Sequence, residues 1–129
     1  MDKVLSGRRI LVVDDEMMVL WMIEVVLAEF GCTDILAAST CAEAIELIGA
    51  RPVDAAMLDV NLGHETSYAV ADILAQDKVP FLFSTGYSAR SVDARFPGRP
   101  VITKPYRDTE LVAALVALLA TGTETATAG

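Results

Sequence analysis

The chain has 129 residues, of which 53% are hydrophobic, and a formal net charge of −8. With a mean hydropathy of +0.46 and a pI near 4.4, there is apolar material for one domain's core and too little length for two. The acidity speaks against direct binding to nucleic acid or to an anionic membrane, both of which need a basic surface.

The longest unbroken apolar run, Leu111 to Ala120, falls well short of the ~20 residues of a membrane span. Met1 to Arg9 carries basic residues but leads into a strand and two aspartates, with no cleavage signal, so cytoplasmic residence is expected. Cys32 and Cys41 fit no metal spacing and are expected to be reduced packing residues.

Arg9 to Val13 reads as a first strand that stops at three acids, Asp14, Asp15 and Glu16. A helix is expected from Glu16 to Phe30, closed by Gly31. Helical spacing assigns Val19, Met22, Ile23, Val26, Leu27 and Phe30 to the stripe facing the sheet. Met17, Met18, Leu20, Trp21 and Val25 then fall outward, where their apolar area calls for either deeper burial or a partner, and methionine and tryptophan favour a partner surface.

Thr33 to Ala38 is the expected second strand, and the capping box Thr40-Cys41-Ala42-Glu43 opens a helix that ends at Gly49. Val53 to Leu58 is the third strand, with Asp59 at its carboxyl end and the loop Asn61-Leu62-Gly63 beyond. A helix over Glu65 to Gln76 carries Val70, Ile73 and Leu74, and Pro80 to Ser84 is the fourth strand. Between Thr85 and Pro100 the helical signal is poor, so this crossover is expected to be short, frayed or mobile. Val101 to Thr103 makes a brief fifth strand, Thr109 to Ala120 a last helix, and 121–129 a disordered tail after a domain spanning 1–120.

Strands alternating with helices through short loops imply an α/β fold, a doubly wound five-stranded parallel sheet with helices on both faces. In the flavodoxin-like order 2-1-3-4-5, Asp14, Asp15 and Asp59 all end at the switch point between the first and third strands. Carboxylates gathered there repel one another and call for a hard divalent cation. Mg2+ suits them, since it takes oxygen ligands and works with one or two carboxylates plus phosphate oxygens. Asp15 and Asp59 are the expected direct ligands, Asp14 acts through water, and the Asn61 backbone carbonyl supplies a further oxygen. Thr85 and Lys104 close neighbouring strands with a hydroxyl and a cation, which together with a carboxylate nucleophile suit phosphoryl transfer. His64 has no partner at ligand spacing and is expected to be exposed and incidental.

Taken together, Val12-Val13-Asp14-Asp15-Glu16, Leu58-Asp59-Val60-Asn61-Leu62, Ser84-Thr85-Gly86 and Lys104-Pro105-Tyr106 resemble the receiver domains of two-component response regulators over roughly residues 8–120. The resemblance implies Asp59 as phosphoacceptor, Asp14 and Asp15 as the metal-binding pair, Thr85 as switch hydroxyl, Lys104 as phosphate-sensing lysine, and a cis Lys104-Pro105 bond. It implies a protein that catalyses only its own phosphorylation and dephosphorylation.

Pro80 to Tyr87 looks more specifically like single-domain receivers with a Pro-Phe-x-Phe-Ala-Thr-Gly-Tyr signature, partners of histidine kinases in alphaproteobacterial stress signalling, with Ser84 in place of the alanine. Val101 stands where better-studied receivers carry an aromatic switch residue, so either Tyr87 or Tyr106 substitutes or nothing does, and phosphorylation is expected to order Gly86 to Phe96.

The expected donor is a histidine kinase or histidine phosphotransfer protein, docking against Met17, Met18 and Trp21, with Tyr87 and Tyr106 as further partner contacts. Output would be binding to a downstream protein or draining of phosphoryl groups, from a monomer or weak dimer. The competing readings are a Mg2+-dependent phosphohydrolase, which lacks the loops for a substrate pocket, and a docking module with no use for phosphate, which would have no use for these acids.

Overall fold

The computed structural model describes residues 3–86 and 96–128, with side chains as far as Ala120. Short runs rich in apolar side chains form β1 (Arg9–Val13), β2 (Asp34–Ala38), β3 (Ala55–Asp59), β4 (Phe81–Thr85) and β5 (Val101–Thr103). All pair in parallel, in the order β2-β1-β3-β4-β5. Four helices are seen among the described residues, α1 (Met17–Glu29), α2 (Cys41–Ala50), α3 (Tyr68–Gln76) and α4 (Asp108–Ala128). The fold is the flavodoxin-like α/β sheet expected from the sequence.

Successive strand side chains point to opposite faces, and the sheet therefore builds two cores. Val13, Leu58, Phe81 and Phe83 meet Ala44 of α2 and Val70 and Leu74 of α3 on one face. On the other, Val12, Met57 and Leu82 meet Leu20, Ile23 and Leu27 of α1 with Leu111 and Leu115 of α4. Leu5, fully buried, joins this second core from the N-terminal turn. Cys32 and Cys41 are free and buried, as expected of packing residues.

The phase of α1 differs from the expected one. Leu20 is buried at 4% exposure and Met22 is exposed at 55%, so the inner stripe is Leu20, Ile23 and Leu27, with Val19, Val26 and Phe30 at its margin. The cause is a helix apolar on nearly every face: periodicity cannot select one stripe when the outer positions are Met, Trp and Val. Met17, Met18, Trp21 and Val25 are exposed, as expected.

Gly31 ends α1 at a φ of 97°. Its N–H bonds Ala28 O and that of Cys32 bonds Leu27 O, the paired bonds of a Schellman motif. A side chain at Gly31 would also meet Lys3 and Ser6 at 3.0 Å.

Thr40 caps α2 by accepting from Glu43 N at 3.2 Å, but Glu43 reaches back to Ser39 N at 2.9 Å, one residue beyond a regular capping box. Gly49 lies inside α2, which ends at Ala50 before Pro52. The third helix starts at Tyr68 rather than Glu65, because 65–67 serve the preceding loop: Leu62 N bonds Glu65 O, and Asn61 bridges Thr66.

The backbone of α4 continues to Ala128, where a disordered tail was expected from 121. No proline interrupts 121–128, so the helical hydrogen-bond ladder is not broken there. The expected mobile crossover falls mostly on 87–95, outside the described residues. Beyond it, buried Phe96 stacks on Tyr68 at 5.6 Å and lies edge-on to Phe83.

Candidate functional site

The connections from β1 and β3 leave toward opposite faces of the sheet, and the crevice between the ends of these neighbouring strands is where such folds place a ligand. Asp14 and Asp15 follow β1 and Asp59 ends β3. One carboxylate oxygen from each lies within 4.8 Å of the others. Asp14 is 1% and Asp59 7% exposed, whereas Asp15 is open to solvent.

Local backbone chemistry holds these groups. Asp14 N extends the sheet by donating to Ala38 O, and its Oδ1 accepts from Glu16 N at 2.9 Å just before α1 begins. After β3, Val60 N donates to Ser84 O and Ser67 N donates to Val60 O, so the strand's exit is tied to β4 and to α3. The loop then brings Gly63, at a φ of 83°, close to Asp15: a β-carbon there would stand 3.6 Å from Oδ2. Asn61 lies in this exposed loop.

Lys104 reaches the acids from β5. Its Nζ donates to Asp14 Oδ2 at 3.3 Å and to Asp59 Oδ2 at 3.4 Å. Its backbone N–H donates to Thr85 O at 2.8 Å, and the Lys104-Pro105 peptide is cis, as expected. Thr85 is buried at the end of β4.

The charges shape one another. Burial first, and then the charge of Asp14, push the Asp59 carboxyl up to about 6, against the opposing pull of Lys104. For Lys104, burial lowers the ammonium, but the charges and hydrogen bonds of Asp14 and Asp59 reverse this and raise it. Burial likewise raises Tyr106, with Lys104 opposing.

Three carboxylates and one ammonium leave excess negative charge in this small space, and the donor atoms are all oxygen. Both features fit a hard divalent cation of the Mg2+ kind.

Beside the acids, Met22, Val26, Pro105 and Tyr106 line a groove of about 300 Å3 between α1 and the turn leading into α4. Tyr106 is therefore close to the outward face of α1, and Met22, which the sequence reading placed inward, belongs to this surface. Tyr87 lies outside the described residues, as does most of the Gly86 to Phe96 segment. His64 is exposed.

Residues 10–116 match the response regulator receiver domain family. The chain belongs to that family. It is a CheY-like receiver of two-component signalling, and its acidic triad is typical of the receiver metal site. This receiver is 42% identical to SdrG from Sphingomonas melonis Fr1, with a TM-score of 0.75 over 87% of this chain and 96% of that one. The BeF3-activated conformation of SdrG from Pseudomonas melonis Fr1 is 41% identical, with a TM-score of 0.73 over 88% and 98% of the two chains. The transcriptional regulatory protein YvrH of Bacillus subtilis (strain 168) is 37% identical over 122 residues, 89% of this chain and 50% of that protein. The receiver thus spans about half the length of that relative. Among its described residues no helix is long and apolar enough to cross a membrane.

Two features of the site escaped the sequence reading. Glu65 accepts from Cys41 N at 3.1 Å, joining the loop after Asp59 to the start of α2; nothing local in the sequence signals a pairing across 24 residues. The Ser84 hydroxyl is buried with no hydrogen-bond partner among the described residues. Its signal was a polar residue within β4, directly after the apolar Phe81 to Phe83 run.

Proposed function

We propose that this receiver is a single-domain response regulator that accepts a phosphoryl group on Asp59 from the histidine of a histidine kinase or a histidine phosphotransfer protein. The supporting observation is the position of Asp59, buried at the end of β3 among the acids and within hydrogen-bond reach of Lys104. A relative solved in a BeF3-activated conformation supports the same chemistry. The Pro80-Phe81-Leu82-Phe83-Ser84-Thr85-Gly86-Tyr87 stretch supports the Pro-Phe-x-Phe-Ala-Thr-Gly-Tyr subgroup.

In this mechanism an Asp59 carboxylate oxygen attacks phosphorus as the phosphorus–nitrogen bond breaks. The bonding pair goes to the imidazole nitrogen, whose protonated second nitrogen lets the ring leave neutral. Asp59 becomes a mixed anhydride of carboxylate and phosphate. Lys104, already bonded to Asp59, turns its charge to the transferred oxygens, and the Thr85 hydroxyl at the end of β4 donates to one of them. Mg2+, held by Asp14, Asp15 and Asp59 with the Asn61 backbone carbonyl, would neutralise charge on the phosphoryl oxygens. Water later attacks phosphorus and restores the carboxylate.

Met17, Met18 and Trp21 stand beside this site on the exposed face of α1, and Tyr106 across the groove completes a surface for the donor's helices. Tyr87 is a further partner contact. Output is by association with a downstream protein or by draining phosphoryl groups, in the cytoplasm, from a monomer or weak dimer.

Intact mass after incubation with Mg2+ and a small-molecule phosphodonor tests the reading. The wild type is expected to gain one phosphoryl group that chelation prevents, and Asp59→Asn to gain none. Equal gain in both proteins would remove Asp59 as acceptor.

A further inference from the structure

In the sheet register Asp59 pairs with Ser84, and Ser84 with Ile102. Residues paired across parallel strands share a face, and neighbouring strands lie about 4.8 Å apart. Leu82, two residues before Ser84, and Met57, two before Asp59, both belong to the core beneath α1 and α4. Ser84 and Asp59 therefore point to that same face from adjacent strands. Lys104 rises from β5 and meets Asp59 on β3, so its stem must cross β4, on which Ser84 sits.

Amid these groups the Ser84 hydroxyl is anomalous. Ser84 is 1% exposed, and its Oγ is sealed from solvent with no hydrogen-bond partner among the described residues. A buried hydroxyl left unpaired is costly, while an apolar side chain of the same size at this position would incur no such cost. Lys104 meanwhile already gives hydrogen bonds to Asp14 and Asp59.

Acceptor supply changes at this point when Asp59 is phosphorylated. Three phosphoryl oxygens are added beside the oxygens the carboxylate already had, and the lysine's charge is drawn toward them. An added acceptor next to an unengaged buried donor satisfies it.

We propose that Ser84 is a positioning residue for the acyl phosphate: its hydroxyl, unpaired among the described residues of the resting receiver, donates to a phosphoryl oxygen on Asp59 once the phosphoryl group is in place. Ser84 thereby stabilises the phosphorylated state relative to the resting one and slows the return of the carboxylate, in which water attacks phosphorus and the bond to the Asp59 oxygen breaks. Because it presupposes Asp59 as acceptor, this role rests on the function proposed above.

The full chain is phosphorylated with Mg2+ and a small-molecule phosphodonor, the donor is removed, and loss of the phosphoryl group is followed by intact mass in wild type, Ser84→Ala and Ser84→Thr. Thermal unfolding of the three unphosphorylated proteins is measured alongside. Ser84→Ala is expected to lose the phosphoryl group at least threefold faster, yet to unfold at a higher temperature when unphosphorylated, since the orphaned hydroxyl is gone. Ser84→Thr, which keeps the hydroxyl, is expected to restore the wild-type lifetime. A merely structural serine would not move lifetime and resting stability in opposite directions.

Equal or longer lifetime in Ser84→Ala would overturn the role of Ser84 alone. A fast loss shared by Ser84→Ala and Ser84→Thr would overturn it as well, by tying the effect to packing instead of the hydroxyl. Absence of an acyl phosphate in the wild type would overturn the reading of Asp59 and, with it, that of Ser84.

Discussion

Asp59 works against the fold that holds it. Its carboxyl is pushed up to about 6 by burial and then by Asp14, so the folded chain holds the proton more tightly than the unfolded one does. A carboxyl whose folded pKa is raised stabilises fully below its unfolded pKa of about 3.9, and that contribution is lost as pH rises through the folded value. In metal-free protein the loss falls between about pH 4 and pH 6 and amounts to roughly 2 kcal/mol after allowance for partial solvent screening. Asp59→Asn carries no charge at any pH. It is expected to be more stable than the wild type by roughly that amount at about pH 8 in chelator and no more stable at about pH 4. Urea denaturation at the two pH values checks this, and a pH-independent difference would show that Asp59 is not held near 6. The acid at the strand end was legible in the sequence, as were Asp14, Asp15 and Lys104. The shift in Asp59 was not, because it arises from burial and from a second carboxylate 45 residues away in the chain.

At the scale of elements, the strands were legible to within a residue or two, since each is a compact apolar run bounded by loop residues. The phase of α1 was not. Met22 and Leu20 are both apolar, and only contact with the sheet decides that Leu20 and Leu27 go inside and Met22 outside. Leu27→Ala is expected to cost ~2–5 kcal/mol, the range for a fully buried leucine. Met22→Ala should change stability by less than about 0.5 kcal/mol, as a surface substitution does. Chemical denaturation of the two variants distinguishes the observed phase from the stripe expected from periodicity, which would make both substitutions costly. The start of α3 was missed for a related reason: 65–67 carry acceptable helix residues, but their backbone is committed to the loop that follows Asp59.

For the whole molecule, the exposed methionines and tryptophan of α1 lie next to the acidic crevice, so a donor protein seated on that face would present its phosphohistidine to Asp59. Trp21→Ala is expected to slow phosphoryl transfer from the donor protein about tenfold, as loss of an interfacial aromatic anchor does. Phosphorylation by a small-molecule donor, which needs no docking, should be unchanged. Rapid-mixing kinetics with the two donors check this, and equal slowing with both would place the effect of Trp21 in the site's chemistry instead of in docking.

By itself the sequence determined the class of fold, the order of strands and helices, and the side chains that end them, because strand and helix periods and loop residues are local properties of the chain. It also carried the oxygen-rich chemistry of the crevice, since Asp14, Asp15, Asp59, Thr85 and Lys104 each stand at the end of a recognisable strand. Tertiary structure alone decided which face of α1 is buried, how closely the three carboxylates approach, where Lys104 finds its partners, and that Ser84 has none among the described residues. Those outcomes depend on distances between residues far apart in the chain and on the exclusion of water between them, and neither exists until the sheet and its two layers of helices have closed.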